Sequence, residues 1–208
     1  MILYKYIKLE NLISTIKNGV YAAKPSELND PFEWSDLSKD QIKQYRICCL
    51  TGSYNQKLMW SHYANGHRGC IVSVELPKEL ETGDSVIRKV NYTSRKEVEK
   101  IKKPIERLYQ KDKKWSNEKE WRAVYDSKCF DSEIWQEKDD KVFLKAKVKK
   151  VWFGCAVDQE SVEYLKVIKM IQDFNIQKKK ADKIEINSYK IAEGETYRFV
   201  INKDNKYG

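Results

Sequence analysis

Strands outnumber helices along this sequence and several follow one another directly. That pattern predicts an α+β fold, a single domain over residues 1–208 with a mainly antiparallel sheet flanked by helices. An apolar content of 41% with 12% aromatic residues supplies a real core for a chain of 208 residues, so the heavily charged surface, 34% of residues, does not signal disorder. Neither a GxGxxG nor a GxxxxGK[ST] pattern occurs, which excludes a Rossmann dinucleotide site and a P-loop.

In chain order, Ile2 to Ile7 reads as an opening strand. Leu9, Leu12, Ile13, Ile16 and Val20 then recur at helical spacing, with Gly19 where a C-cap belongs, and Val20 to Ala22 reads as a short strand. Lys24 to Trp34 carries two prolines and Asn29-Asp30-Pro31, the composition of an ordered turn, and is too apolar at Leu28, Phe32 and Trp34 for a loose loop. An amphipathic piece from Asp40 to Tyr45 leads into a core strand, Arg46 to Thr51. Gln56 to Tyr63 reads as a short helix with Met59, His62 and Tyr63 on one side, ended by Gly66. The β-branched run Cys70 to Val74 is a buried strand, and Val86 to Tyr92 another.

Residues 94 to 115 read as one long charged helix with Ile101, Ile105, Leu108 and Tyr109 inward and Pro104 marking a kink or boundary. Trp115 to Tyr125 begins polar and becomes an alternating strand. Val142 to Leu144 and Val148 to Phe153 add strands, ending at Gly154. Asp158 is placed to N-cap a helix through Ile171, with Val162, Leu165 and Ile168 inward. Ile184 to Ile191 and Glu195 to Ile201, split by Glu193-Gly194, close the chain as a hairpin.

A formal net charge of +9 favours polyanionic partners, while a lysine-rich surface of compositional origin explains it equally well. Five cysteines without CxxC spacing read as reduced thiols, four of them in apolar runs, and not as a disulfide frame or a zinc site. No run is long and apolar enough to span a bilayer, and Lys5, Lys8 and Glu10 interrupt any signal-peptide core. The expectation is a cytoplasmic protein without a membrane partner.

Three constellations carry chemistry. Both histidines, His62 and His67, lie in one aromatic and polar stretch with Trp60, Ser61, Tyr63 and Arg68. Imidazole titrates near neutrality, so the two suit an acid and base pair with Arg68 for a phosphate, as in a metal-independent ribonuclease; capping and turn duty are the structural alternative. No acidic or cysteine cluster completes a ligand set, so no metal is expected. In the second constellation a strand would set Glu118, Glu120 and Arg122 on one face, able to stabilise a cationic transition state or only to form an exposed salt-bridged strand start. In the third, Asn29, Asp30 and Glu33 either contact substrate or belong to a rigid turn.

Tyr4-Lys5-Tyr6, Leu28-Asn29-Asp30-Pro31-Phe32-Glu33, Trp60-Ser61-His62-Tyr63-Ala64 with His67 and Gly69, and Glu118-x-Glu120-Trp121-Arg122 occur in that order. The combination spans essentially the whole chain and resembles a bacterial family catalogued as a domain of unknown function, some members of which sit near abortive phage-infection genes. The opening strand followed by Asn11-Leu12-Ile13-x-x-Ile16-x-x-Gly19-Val20 bears a more distant likeness to ADP-ribosyltransferases of the DNA-modifying toxin and RNA 2′-phosphotransferase kinds. That likeness implies an ADP-ribosyltransferase-like sheet and NAD as substrate. It further implies Tyr4 or Lys5 at the ribose, Ser61 or Tyr63 lining the nicotinamide pocket, and Glu120, with Glu118 next, stabilising the oxocarbenium ion. The usual first-strand His or Arg is absent, and Lys5 lacks the planar fork of Arg. The expected function is therefore NAD-dependent ADP-ribosyl transfer, with nucleic acid as acceptor, in phage defence or as a toxin. The alternatives are the ribonuclease of His62 and His67, and a non-enzymatic basic module that binds nucleic acid or a phage component.

Overall fold

The computed structural model describes residues 1–81, 87–191 and 199–202. In chain order its elements are β1 (Ile2–Ile7), α1 (Leu12–Asn18), β2 (Val20–Ala22), α2 (Lys39–Gln44), β3 (Tyr45–Thr51), α3 (Lys57–Tyr63), β4 (Cys70–Glu75), β5 (Ile87–Lys89) and β6 (Asn91–Thr93). There follow α4 (Arg95–Val98), α5 (Pro104–Arg107), β7 (Gln110–Asp112), β8 (Glu120–Asp126), β9 (Trp135–Lys138), β10 (Lys141–Leu144), β11 (Lys147–Phe153), α6 (Val162–Ile176), β12 (Glu185–Ile191) and β13 (Phe199–Asn202). The class is α+β and most strand pairs are antiparallel. The chain divides into two compact units, each assembled from separate segments: Met1 with Asn18–Gly52 and Leu76–Ala146, and Ile2–Lys17 with Ser53–Glu75 and Lys147–Gly208.

In the first unit β8 lies between β3 and β5, antiparallel to both. Strand alternation puts Glu120, Arg122 and Val124 on one face of β8, opposite Thr51, Cys49 and Ile47 of β3. One end of that face is an apolar core of Tyr45, Ile47, Leu108, Tyr109 and Val124. The other end carries the charged residues. A second antiparallel group, β2-β10-β9, joins β3 through the Ala23–Ile47 bridge, and β6 pairs β7 in parallel.

In the second unit the strand order is β13-β12-β11-β4-β1. Only β11 and β12 are parallel, and α6 is the crossover such a pair needs. One sheet face packs Tyr6, Ile71, Trp152 and Tyr189 around Trp60 and Ala64 at α3. On α6, Tyr164 meets Phe153 edge-on with ring centroids 4.9 Å apart.

Several expectations are corrected. Residues 94 to 115 form no long helix: Arg95–Val98 and Pro104–Arg107 are single turns, and the chain is a strand by Gln110. Pro104 sits at the first position of α5, where its missing N–H costs nothing. The strand expected over 86 to 92 divides at Val90: its N–H still bonds the Glu120 carbonyl of β8, while the Asn91 N–H turns to the Tyr109 carbonyl beside β7. Ser161, not Asp158, caps α6, which runs to Ile176 and buries Tyr164, Val167, Ile168 and Ile171 while Val162 and Leu165 are exposed. The hairpin of β9 and β10, turning through Asp139 and Asp140 at positive φ, was not expected, because paired aspartates are a weak hairpin signal beside Asn-Gly. The β12–β13 pairing is present, while the Glu193-Gly194 turn lies outside the described residues. None of the five cysteines is in a disulfide, and only Cys48 and Cys70 are buried; Cys129 is exposed.

Candidate functional site

The site of the first unit is built from three local structures. Pro31 opens a 3-10 turn, and Asp30 caps it by accepting the Phe32 N–H at 3.0 Å. The other Asp30 oxygen accepts the indole N–H of Trp115 at 3.1 Å, tying this turn to the segment before β8. Glu33, at the end of the turn, is thereby held with its carboxylate only 4% exposed. The second structure is the start of β8. Glu118 closes a 3-10 turn, Lys119 takes a left-handed conformation, and the strand begins at Glu120. Glu118 and Glu120 are therefore not successive same-face residues of one strand, as the sequence suggested. They converge because the left-handed Lys119 turns the chain between them. The third is Lys111, in the middle of β7.

These five charged side chains form one buried network. Arg122, 1% exposed, donates to Glu120 through Nε at 2.8 Å and through a terminal nitrogen at 3.1 Å, and to the Leu108 carbonyl at 2.8 Å. The same terminal nitrogen meets Glu33. Lys111 Nζ donates to Glu118 at 2.5 Å and Glu120 at 3.0 Å, and lies 3.6 Å from Glu33. The Tyr92 hydroxyl accepts the Glu120 N–H at 2.8 Å.

Three carboxylates, Glu33, Glu118 and Glu120, face two cations, Lys111 and Arg122. Fully ionised, the network carries one surplus negative charge in a dry setting, where an uncompensated charge is costly. Burial pushes the Glu120 carboxyl up, but Arg122 and Lys111 more than offset it and hold it down at about 2. For Glu33 burial wins: its carboxyl is raised despite Arg122 and Lys111, with Glu120 repelling it further. Arg122 spends two hydrogen bonds on Glu120 and shares one nitrogen with Glu33, which accounts for the difference between the two carboxyls. Glu33 is where the network most readily takes a proton. Burial lowers Lys111, but Glu120 and Glu33 outweigh it and keep the ammonium charged.

Above this network opens a cavity of about 490 Å³. Glu33 and Lys111 line it, along with Phe32, Trp115, Arg95 and Arg107. Lys111 Nζ lies 5.0 Å from the Trp115 ring centre and the Arg95 guanidinium 5.5 Å from that of Phe32. Arg107 is anchored by Nε to the Ile101 carbonyl at 2.7 Å, and Arg95 is paired with Asp36 at 2.9 Å. The expected residues Asn29 and Asp30 line the cavity; Glu118, Glu120 and Arg122 stand behind it.

The remaining expected residues belong to the second unit. Trp60 is a 1% exposed core residue, edge-on to Tyr6 at 5.4 Å. Tyr4 and Tyr63 are half-buried against the same cluster, and Lys5 points to the opposite sheet face from Tyr4. His67 adopts positive φ, stacks on Trp60 at 5.9 Å, and its carbonyl accepts the Ala156 N–H at 3.1 Å; burial lowers its pKa. Those are the marks of a turn residue. His62 lies beside Tyr63 on α3, ring centroids 6.3 Å apart, but is exposed, as are Ser61 and Arg68. Ser61 bonds back to the Lys57 carbonyl at 3.4 Å.

The structure thus joins the Asn29-to-Glu33 turn to the Glu118-to-Arg122 segment, two constellations the sequence kept apart. It adds Lys111, Arg95, Arg107 and Trp115, of which the first three were hidden in the expected long helix. Among the described residues no group of three or more His, Cys, Asp or Glu side chains gathers as a metal site, and no helix is long and apolar enough to cross a membrane. Set against protein-family models, curated proteins and solved structures, the chain matches none of them.

Proposed function

We propose that the protein is an ADP-ribosyltransferase-like enzyme that takes NAD in the cavity of the first unit. The observation that carries this reading is the charge balance beneath that cavity: one carboxylate more than the cations can neutralise, with Glu33 at the lining. A cationic ring next to Glu33 supplies the missing charge, and the nicotinamide of NAD is such a ring. Phe32 and Trp115 offer faces for stacking, and Arg107 offers a guanidinium group to the pyrophosphate.

As the glycosidic bond breaks, its electron pair goes to the nicotinamide nitrogen and positive charge moves to the ribose. With its carboxylate toward the ribose side of that bond, Glu33 favours the transition state over the ground state. Glu120 and Glu118 act behind it, keeping Arg122 and Lys111 charged and in place. The formal charge of +9 supports a nucleic-acid acceptor, and the family resemblance supports a phage-defence or toxin setting. The ribonuclease reading is weaker, since His67 is committed to its turn.

The test is NAD binding by calorimetry together with nicotinamide release by chromatography. Trp115→Ala is expected to weaken binding by about two- to tenfold, the scale of one lost stacking contact. Glu120→Gln is expected to abolish nicotinamide release while circular dichroism stays unchanged. Near wild-type turnover in Glu120→Gln would sink the assignment of the network to catalysis.

A further inference from the structure

We infer that the cavity selects its ligand by charge state, taking the oxidised, positively charged nicotinamide in preference to the neutral dihydronicotinamide, and that entry of the cationic ring displaces one proton from the Glu33 carboxyl. This rests on the NAD reading above and specifies how that site discriminates.

With Glu33 protonated, two carboxylates, Glu118 and Glu120, balance Lys111 and Arg122, and the empty site is neutral. With Glu33 ionised, three carboxylates face two cations, and a third cation restores the balance. Proton and cationic ring are therefore alternatives for one site. A neutral ring offers no compensation and leaves the proton where it is.

The groups around Glu33 allow no other group to absorb the charge as easily. On its own turn lies Asp30, committed to the Phe32 N–H and the Trp115 indole. From β7 comes Lys111, and from β8 Arg122 and Glu120, all fixed in the network. Glu118 is bonded to Lys111, and Tyr92 accepts from the Glu120 N–H. Further round the cavity, Arg95 is neutralised by Asp36, while Arg107, Asp112 and Lys114 sit at the lining. Only Glu33 combines a place at the lining with a carboxyl that burial has raised.

The experiment measures dissociation constants of the full-length protein for NAD and NADH from pH 4.5, the ordinary carboxyl value, up to about pH 8.5, and the protons released on NAD binding, by calorimetry in buffers of different ionisation enthalpy. At the upper end of that range NAD is expected to bind about tenfold or more tighter than NADH, one pK unit of difference between the two ligands; toward the lower end that preference narrows, while a fraction of a proton up to one is released per NAD and none per NADH. In Glu33→Gln the preference is expected to fall to within about twofold and the proton release to vanish, with NADH affinity retained. Equal wild-type affinity for NAD and NADH overturns the inference and leaves the NAD reading standing. Preference for NAD with no proton released at any pH in the range overturns the exchange at Glu33, a result read on the wild type alone should Glu33→Gln not fold. Absence of binding by either dinucleotide overturns both the inference and the reading beneath it.

Discussion

Glu33 and Glu120 share the cation Arg122 and yet titrate in opposite directions, and that contrast fixes how stability depends on pH. A carboxyl raised above its ordinary value of 4.5, as Glu33 is, binds its proton more tightly when folded. Its contribution to stability is fully present below the unfolded value and is lost as pH rises through the folded one. Glu120, held at about 2, behaves in the reverse sense, and its contribution is lost as pH falls from 4.5 toward 2. The ligand-free protein should therefore lose melting temperature on the alkaline side of pH 4.5 through Glu33. Glu33→Gln keeps the side chain's shape without the titrating proton, so its melting temperature should be flatter over that window and should exceed the wild-type value at the upper end. A scan of melting temperature against pH for both proteins checks this, and parallel curves would refute the raised carboxyl.

At the scale of the element, most of the fold was legible where apolar periodicity is strong and poorly legible where charge hides it. β1, β3, β4 and β11 were read with bounds close to the observed ones because their apolar residues alternate or run together. Residues 94 to 115 misled because Ile101, Ile105, Leu108 and Tyr109 are spaced as on a helix, yet Ile105, Leu108 and Tyr109 reach one core cluster from the single turn of α5 and the residues after it. Lys111 and Arg107 were lost with that error. The meeting of Glu33 with Arg122 could not be read at all, since it depends on long-range packing of a turn against β8 and not on any local pattern.

The stretch around His67 was legible as important, though for a reason that lies in the backbone. A Cβ on Gly154 would sit 2.1 Å from the His67 carbonyl oxygen and 3.1 Å from the Trp60 ring. Gly154→Ala must therefore displace the His67 turn or the core indole, and an expected loss of about 2–3 kcal/mol should appear as a lower denaturant midpoint. Gly52→Ala is the matching control: its Cβ would meet only a side-chain atom, Trp121 Nε1, at 3.4 Å, and a change within about 0.5 kcal/mol is expected.

For the whole molecule the open quantity is what a net charge of +9 does, since composition alone left it divided between a polyanion partner and a solvated surface. Part of the charge is already used internally. Lys111 and Arg122 are buried against carboxylates, Lys150 pairs with Glu185 at 2.7 Å, and Lys149 donates to the Ala181 carbonyl at 2.6 Å. Lys178, Lys179 and Lys180, following α6, are exposed and make no salt bridge among the described residues, so this cluster is open to the phosphates of a nucleic acid. Each phosphate that a lysine neutralises releases condensed counterion, so the logarithm of affinity for a single strand falls linearly with that of salt concentration, by about 0.7 per phosphate. Fluorescence anisotropy with a labelled RNA oligonucleotide across salt concentrations should give such a line for the wild type. Replacing Lys178 and Lys180 together by Gln should reduce its slope by about 0.7 per lysine, while NAD affinity stays unchanged because neither residue lines the cavity. A wild-type slope near zero would remove nucleic acid as the acceptor and assign the positive charge to solvation of the surface.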